Sequence, residues 1–462
     1  MPETAPRIIL WRRSGKSAIF VDMKRLVYTL VAAALVLTAA SCNQNMVPEE
    51  GKDPQGTEQP DTPDTPDQPD GPDVPDVPDT PDQPDTPDTP DAPDTPEPPA
   101  ARPEPDPVVV DEPYLVTSEI IMQFIQNVTY PERDYSFTHV TDPEYAPYGA
   151  PGDADMPPKV PVSWEAYENE GALTLNLSDG EWAYDVPLAA GTTSYELSNL
   201  VPNRNYTWVV KRDDIGAIVG RGSFKTSGMI HQVYFQKKVR NARDLGGWST
   251  VDGKKVKYRR LYRGGEITSS YLNSTGIKEM LREGIRAEID LRESSDVNSS
   301  TSRLGKDIAF YNANFSKGYG GLIREYSSKV AKTFSFTVKC LREGKPVFFH
   351  CSIGRDRTGT MTALYLGLLG VSESDMSKEY ELIFFSPADW SLNGGKTEFD
   401  YSRTKKYAHQ YTCNTLWQLG GQALGVADDN LDVTFAERTE AYLLANGVPQ
   451  KDIDDFRELM LE

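Results

Sequence analysis

A cysteine and an arginine six residues apart dominate one short segment of the 462-residue chain, His350-Cys351-Ser352-Ile353-Gly354-Arg355-Asp356-Arg357-Thr358-Gly359. Residues 346–349 before it are typical of a short buried strand, and residues 358–369 after it are typical of a helix. A strand, loop and helix in this order direct the loop amides and the positive end of the helix at one point, which suits a phosphate. A thiolate at Cys351 is stabilised there, and the planar guanidinium of Arg357 can hold two phosphoryl oxygens. The spacing therefore predicts a cysteine that attacks phosphorus.

The loop residues have separate expected roles in such a reaction. Cys351 forms the bond to phosphorus as a thiolate, while Arg357 and the loop amides stabilise the charge on the equatorial oxygens. The hydroxyl of Thr358 can donate a hydrogen bond to the thiolate that is released during hydrolysis. His350 is expected to position the loop through ring hydrogen bonds. The predicted phosphate-binding residues are Ser352, Ile353, Gly354, Arg355, Arg357 and Thr358.

The leaving oxygen also needs a proton donor. The sequence contains no aspartate between Ile308 and His350, where a separate acid loop would be expected. Asp356, inside the loop itself, is therefore predicted to be the proton donor. An aspartate at this position could instead cap the helix. Asp244 and Asp290 are the reserve acids.

Further arginines could widen the anion site. Arg243, Arg263 and Arg355 are each candidates, with a structural ion pair as the alternative, and Arg355 is favoured because it lies in the loop. Arg243 and Asp244 are assigned supporting roles, since Asp244 could tie down the turn at Arg243.

Three segments outside the loop make the interpretation more specific. Residues 239–247 read VRNARDLGG, residues 261–265 read LYRGG, and residues 289–292 read IDLR. These segments and the loop resemble the atypical bacterial tyrosine and lipid phosphatases, whose loop usually reads His-Cys-x-x-Gly-Lys-Asp-Arg-Thr-Gly. Here Arg355 stands in place of the lysine and Ile353 in place of a common alanine.

The resemblance covers about 231–383 and the end of the chain, with 386–430 as an insertion. It implies a phosphocysteine mechanism in which Asp356 is the acid. No metal or other cofactor is expected, because the arginine and the loop amides supply the charge stabilisation.

A phosphatase domain is predicted over residues 229–462. Strands are expected at 287–291, 308–311 and 347–349, and helices at 277–282 and 328–343. This alternation predicts an α/β fold of the protein-tyrosine-phosphatase type, with a largely parallel sheet flanked by helices.

Residues 113–228 are predicted to form a small all-β sandwich that precedes the phosphatase domain. Alternating runs such as 173–177 (LTLNL) indicate short antiparallel strands. The run Leu200-Val201-Pro202-Asn203-Arg204-Asn205-Tyr206 resembles the tyrosine corner of fibronectin type III domains, in which the Tyr hydroxyl bonds to nearby backbone. That resemblance makes Trp164 a core residue and favours a spacer role for the domain.

The N-terminal part is predicted to be a signal and a stalk. Residues 1–42 are predicted to contain the signal, with Met23 as the true start. From Met23 a basic and then apolar stretch resembles a bacterial lipoprotein signal peptide, and it ends at Cys42, the expected lipidated residue. Plain secretion and an uncleaved anchor are the alternatives. Residues 43–112 contain a Pro-Asp-x repeat, which predicts an extended, disordered acidic stalk. The stalk carries most of the net charge of −21, so the folded part is near neutral and nucleic-acid binding is not expected.

The remaining cysteines, Cys340 and Cys413, are too few for a disulfide framework, and Cys340 is expected to lie in a core. Together these features predict an exported phosphatase of the bacterial cell envelope, anchored in a membrane through Cys42 and acting on a phosphorylated substrate. A tyrosine or dual-specificity protein phosphatase is the leading prediction, and an inositol-phosphate or phosphoinositide phosphatase is the alternative. A surface adhesion protein whose phosphatase fold only binds anions is the non-catalytic alternative.

Overall fold

A computed structural model describes residues 9–10, 19–20, 103–130, 156–166, 171–297, 299–386 and 408–462. The chain divides into two compact units, residues 1–96 and 97–462. In the first, strands β1 (Ile9–Leu10) and β2 (Ile19–Phe20) pair antiparallel. The predicted apolar signal segment, the lipidation site Cys42 and the Pro-Asp repeat lie outside the described residues. No helix among the described residues combines the length and the hydropathy needed to cross a bilayer.

The C-terminal sheet has five strands in the order β10-β11-β14-β12-β13. β10 runs antiparallel to β11, and the other neighbours are parallel, which confirms the predicted α/β layer. The strands are β10 (Arg243–Asp244), β11 (Leu261–Gly264), β12 (Ala287–Asp290), β13 (Ala309–Asn312) and β14 (Val347–His350).

Helices cover both faces of this sheet. Val347 and Phe349 point into the larger core, while Phe348 between them points into a second core on the opposite face. Strands buried on both faces require such continuous apolar runs. The helices are α1 (Glu119–Asn127), α2 (Ser274–Arg282), α3 (Tyr319–Glu325), α4 (Ser327–Arg342), α5 (Asp356–Leu369), α6 (Glu373–Glu381), α7 (Ala408–Leu424), α8 (Phe435–Ala445) and α9 (Gln450–Met460).

Helix α5 is the central helix of the larger core. Every residue from Thr358 to Leu369 is buried, as expected for a helix that is apolar all round. The helix ends at Gly370, which adopts a left-handed conformation with φ +81°. Within the segment predicted as an insertion, α7 contributes Cys413 and Leu416 to this same core.

The preceding region contains two sheets with a shared apolar core. One sheet has the order β3-β9-β8-β5-β6, and the other pairs β4 with β7. The strands are β3 (Val108–Leu115), β4 (Val160–Ser163), β5 (Leu173–Ser178), β6 (Ala183–Leu188), β7 (Ser194–Leu197), β8 (Asn205–Arg212) and β9 (Ile218–Ser227). The Tyr206 hydroxyl accepts a hydrogen bond from the Val201 backbone N–H at 2.9 Å. Trp164 is partly buried, with its ring centroid 6.3 Å from that of Trp208. The fibronectin type III assignment stays a prediction.

The chain does not keep to the predicted boundary at residue 113. Strand β3 begins at Val108, inside the segment assigned to the stalk, and pairs in parallel with β9. Helix α1 then buries Ile121, Phe124 and Ile125 in the larger core of the C-terminal domain. One segment therefore contributes first to the sheet domain and then to the C-terminal domain.

Candidate active site

The predicted cysteine loop connects the end of β14 to the start of α5. Its tight path depends on Gly354, which has φ +74°, and a Cβ there would lie 2.6 Å from the backbone carbon of Gly264. The first amides of α5 have no acceptor within the helix, so they are available to an anion above the loop. The structure thus has the strand-loop-helix arrangement that the sequence predicts.

Cys351 lies at the base of the loop and is only 2% exposed. Burial by itself would raise the pKa of its thiol, but the hydroxyl and the backbone N–H of Thr358, together with the charge of Arg357, outweigh this effect. The pKa of Cys351 is therefore lowered from its ordinary value. A thiolate is the form that attacks phosphorus, so these contacts prepare a nucleophile.

Arg357 reaches across the loop from the first turn of α5. Its guanidinium donates to the Phe315 carbonyl at 3.0 Å and lies 3.4 Å from the Ser352 hydroxyl. The side chain is partly exposed, and these two contacts fix the plane of its fork. A guanidinium held in this way can donate hydrogen bonds to two phosphoryl oxygens without a large loss of side-chain entropy.

Three side chains from other segments hold the loop backbone. Asn241 Nδ2 donates to the Gly354 carbonyl at 2.8 Å, and the Arg263 guanidinium donates to the same oxygen. Arg240 donates to the Ser352 carbonyl at 2.7 Å. Asn241 and Arg240 belong to the 239–247 segment, so this segment supports the catalytic loop directly.

A buried ion-pair cluster lies behind these contacts. Glu379 of α6 accepts from Arg243 Nε at 2.7 Å and from Arg263 Nη1 at 2.8 Å, and its side chain is fully buried. Burial and the charge of Arg243 lower the pKa of Arg263 to about 10, which still leaves it protonated at neutral pH. Arg243 and Arg263 therefore form structural ion pairs here, the alternative considered for them, and do not extend the anion site.

His350 is fully buried at the end of β14. Its Nε2 lies 3.0 Å from Glu288 Oε1, and its Nδ1 lies 4.0 Å from Asp290 Oδ1. Burial acts to lower the pKa of His350, but the charges of Asp290 and Glu288 raise it above the ordinary value. His350 thus anchors the strand end beneath Cys351, in keeping with a positioning role.

The same three residues are the only described group that approaches the geometry of a metal site, with ligand atoms within 4.8 Å of one another. Their carboxylates are already engaged, however. Asp290 forms a bidentate pair with Arg292, and Glu288 accepts from Ser302 at 2.5 Å. These residues therefore form an internal hydrogen-bond network. Asp290, one of the two reserve acids, is already engaged by its contacts with Arg292.

Asp356 opens helix α5 and is partly exposed, with 31% of its side chain accessible. Arg355 Nε donates to Asp356 Oδ1 at 2.8 Å, and the Tyr319 hydroxyl donates to the same oxygen. Burial raises the pKa of Tyr319 well above its ordinary value, so this phenol stays protonated as the donor. Arg355 itself is only 3% exposed, so its guanidinium serves Asp356 and is not open to a substrate.

Asp244 is placed away from the cysteine loop. It accepts from the backbone N–H groups of Gly246 at 2.9 Å and Arg259 at 2.6 Å, and it faces His231 Nδ1 at 3.0 Å. It therefore secures the turn after β10.

Tyr319 and Glu379 were not identified from the sequence, because each reaches the loop only through tertiary packing. Neither lies within a recognisable motif. The assembled site places a cysteine whose thiolate form is favoured near a fixed guanidinium and a carboxyl group at one helix terminus.

Comparison with known proteins agrees with this geometry. Residues 235–462 match the family model described as the tyrosine phosphatase family. A protein of Cupriavidus necator, provisionally named as a tyrosine-protein phosphatase, is 24% identical over 168 residues, which cover 31% of this chain and 59% of that protein. The chain thus spans less than two thirds of this curated relative.

Solved structures give weaker similarity. The catalytic domain of the PP-IP phosphatase SIW14 from S. cerevisiae shows 17% identity and a TM-score of 0.21, covering 32% of this chain and 86% of that one. TpbA of P. aeruginosa shows 16% identity and a TM-score of 0.23, covering 40% and 93%. At these scores the structural matches support no assignment by themselves. Residues 235–462 are therefore similar to proteins of the tyrosine phosphatase family.

Proposed function

We propose that the chain hydrolyses phosphomonoesters through a phosphocysteine at Cys351. The observation that carries this proposal is the position of Cys351, which lies buried at the base of the loop where the hydroxyl and backbone N–H of Thr358 and the charge of Arg357 favour a thiolate. The thiolate forms a bond to phosphorus while the bond to the leaving oxygen breaks, and Asp356 donates a proton to that oxygen. Water then attacks phosphorus and gives a proton to the Asp356 carboxylate, the S–P bond breaks, and Thr358 stabilises the released thiolate.

The leading proposal is a protein tyrosine or dual-specificity phosphatase, whose substrate is a phosphorylated protein side chain. A cavity of about 340 Å³ is lined by Glu288 and Asp290, the two partners of His350, and also by Asp296, Arg292 and Arg303. This balance does not favour a ligand with many phosphates, because the carboxylates would repel it. A single phosphate on a protein side chain meets no such repulsion.

An inositol-phosphate or phosphoinositide phosphatase is the second candidate. The same cavity also presents the hydroxyls of Thr268, Ser269, Ser299 and Thr301, which can bond a polyol ring. An adhesion protein with an inactive fold is disfavoured, since anion binding requires neither a nucleophilic cysteine nor its hydroxyl donor.

A substrate panel tests the proposed function. The full chain is assayed on phosphotyrosine and phosphoserine peptides, inositol phosphates and phosphoinositide vesicles, with phosphate release as the measurement. We expect the highest kcat/KM on a phosphopeptide. Higher values on an inositol phosphate or a phosphoinositide would replace the leading substrate class by the second. If no substrate releases phosphate, the proposal that the protein is a phosphatase is rejected.

The panel also tests Asp356 when it includes an alkyl phosphate and an activated aryl phosphate. We expect Asp356→Asn to lower kcat about 10²-fold or more on the alkyl phosphate, since its leaving oxygen needs a proton, and far less on the aryl phosphate. Asp375→Asn on α6 is a matched control, because that carboxylate pairs with Lys378 at 2.9 Å. Equal losses on both leaving groups would place the acid elsewhere.

We further propose that the protein is exported and anchored in a membrane of the bacterial envelope through Cys42. The basic, apolar and small-residue order of residues 23–42 supports this proposal. In a bacterial host labelled with a palmitate analogue, the full chain should incorporate label and sediment with membranes, and Cys42→Ala should do neither. Ser41→Ala should keep the label. Membrane association that survives Cys42→Ala would contradict the anchor.

A further inference from the structure

A second polar cavity, about 460 Å³ in volume, lies at the opposite end of the parallel sheet from the catalytic loop. Its wall combines Trp182 and Arg204 of the sheet domain with Arg259, Arg260 and Arg286, which directly precede strands β11 and β12. Four-residue strands separate the two ends of the sheet by roughly 13 Å. The cavity is therefore distinct from the phosphatase site, and its size is ordinary for a small ligand.

Two buried N–H groups on this wall have no acceptor among the described protein atoms. They are Nε1 of Trp182 and Nε of Arg259. The Arg259 side chain is only 10% exposed, and its guanidinium carbon lies 5.5 Å from the centre of the Trp182 ring. Both nitrogens are shielded from solvent, and Arg259 Nε lies 3.7 Å from Glu283 Oε2, so these two groups belong to the packing behind the wall and do not face the open cavity.

The charges on the wall indicate the sign of a ligand. Arg259 is compensated by Asp179 at 2.6 Å and by Glu283 at 3.7 Å, and Arg204 is compensated by Glu181 at 3.3 Å.

Arg260 and Arg286 form no ion pair in the described part of the chain. Arg260 donates only to the Arg259 carbonyl at 3.3 Å, and Arg286 donates to the carbonyls of Leu281 and Ile285 at 2.8 Å each. Two guanidiniums thus remain uncompensated at this cavity, which favours an anion.

We propose that this cavity binds a phosphate-type oxyanion, either free or carried as an ester. The guanidinium forks of Arg260 and Arg286 supply both the charge and the hydrogen bonds. Because the wall comes from both domains, the bound anion adds contacts across the junction between them. This site does not depend on the proposed phosphatase activity.

Calorimetric titration of the full chain with inorganic phosphate and with glucose 6-phosphate tests the site. The Arg357→Ala background removes anion binding and hydrolysis at the catalytic loop. We expect one remaining site in this background. Adding Arg260→Gln and Arg286→Gln should raise its Kd about tenfold or more, since charge-assisted hydrogen bonds are lost.

Arg324→Gln on the exposed side of α3 is the matched control and should leave the Kd unchanged. Melting temperatures without anion establish that every variant is folded. Equal affinity for the two probes identifies the free anion as sufficient, and tighter binding of the sugar phosphate identifies an esterified phosphate whose carrier contacts the wall. Absence of binding in the Arg357→Ala background, or an unchanged Kd after the double substitution, overturns the proposal.

Discussion

Replacing Cys351 by serine is expected to lower the rate of phosphomonoester hydrolysis by at least about 10⁴-fold. A serine hydroxyl in the same place is almost entirely protonated, and the contacts of Thr358 and Arg357 stabilise a thiolate rather than an alkoxide. Acid quenching of the wild type during turnover should trap one phosphoryl group per chain, and the Cys351→Ser protein should trap none as phosphocysteine. Phosphate release and mass spectrometry of the quenched protein are the two measurements.

Cys340→Ser is the matched control for this prediction. Cys340 is buried on α4, and burial raises the pKa of its thiol to about 11, so it should react with neither substrate nor iodoacetamide. We expect iodoacetamide to inactivate the wild type and the Cys340→Ser protein alike, with the label on Cys351. Full activity in the Cys351→Ser protein would reject the phosphocysteine mechanism.

Replacing Glu379 by glutamine is expected to destabilise the C-terminal domain by about 3–5 kcal/mol. The substitution leaves two buried guanidiniums, those of Arg243 and Arg263, without the carboxylate that both contact. Because Arg263 also donates to the Gly354 carbonyl, activity should fall along with stability. Urea unfolding, followed by tryptophan fluorescence and by loss of activity, measures both effects.

Glu325→Gln provides the comparison for an exposed pair. Glu325 contacts Lys317 at 2.6 Å, but about half of each side chain is exposed, so we expect a change below about 1 kcal/mol. If the Glu379→Gln protein unfolds at the same urea concentration as the wild type, the buried cluster is not a determinant of stability.

The sequence predicted the parts of the site that are local in the chain. The order of strand, loop and helix around Cys351 follows from adjacent residues, and the structure has it. Tyr319 and Glu379 could not be predicted in this way, since a fold must bring them to Asp356 and to Arg263. Arg355 shows the same limit: its place in the loop favoured an anion ligand, whereas the structure buries it against Asp356.

The N-terminal boundary of the folded part was missed for a different reason. The apolar spacing of Ile121, Phe124 and Ile125 is typical of an amphipathic helix, but these residues lie within 113–228, the range predicted to form the all-β sandwich. Spacing alone does not tell which of two cores such a helix will join.

That helix has a consequence for how force passes through the protein. The chain leaves the sheet domain after Leu115 to enter the C-terminal core as α1, and it leaves again after Ser227 to continue toward β10. A pull applied to the chain at the start of β3 is delivered beside β9, and in the described residues both strands continue directly into the C-terminal domain. Two such connections that run in the same direction resist twisting more than a single linker does, so they keep the cysteine loop at a constant orientation relative to the sheet domain.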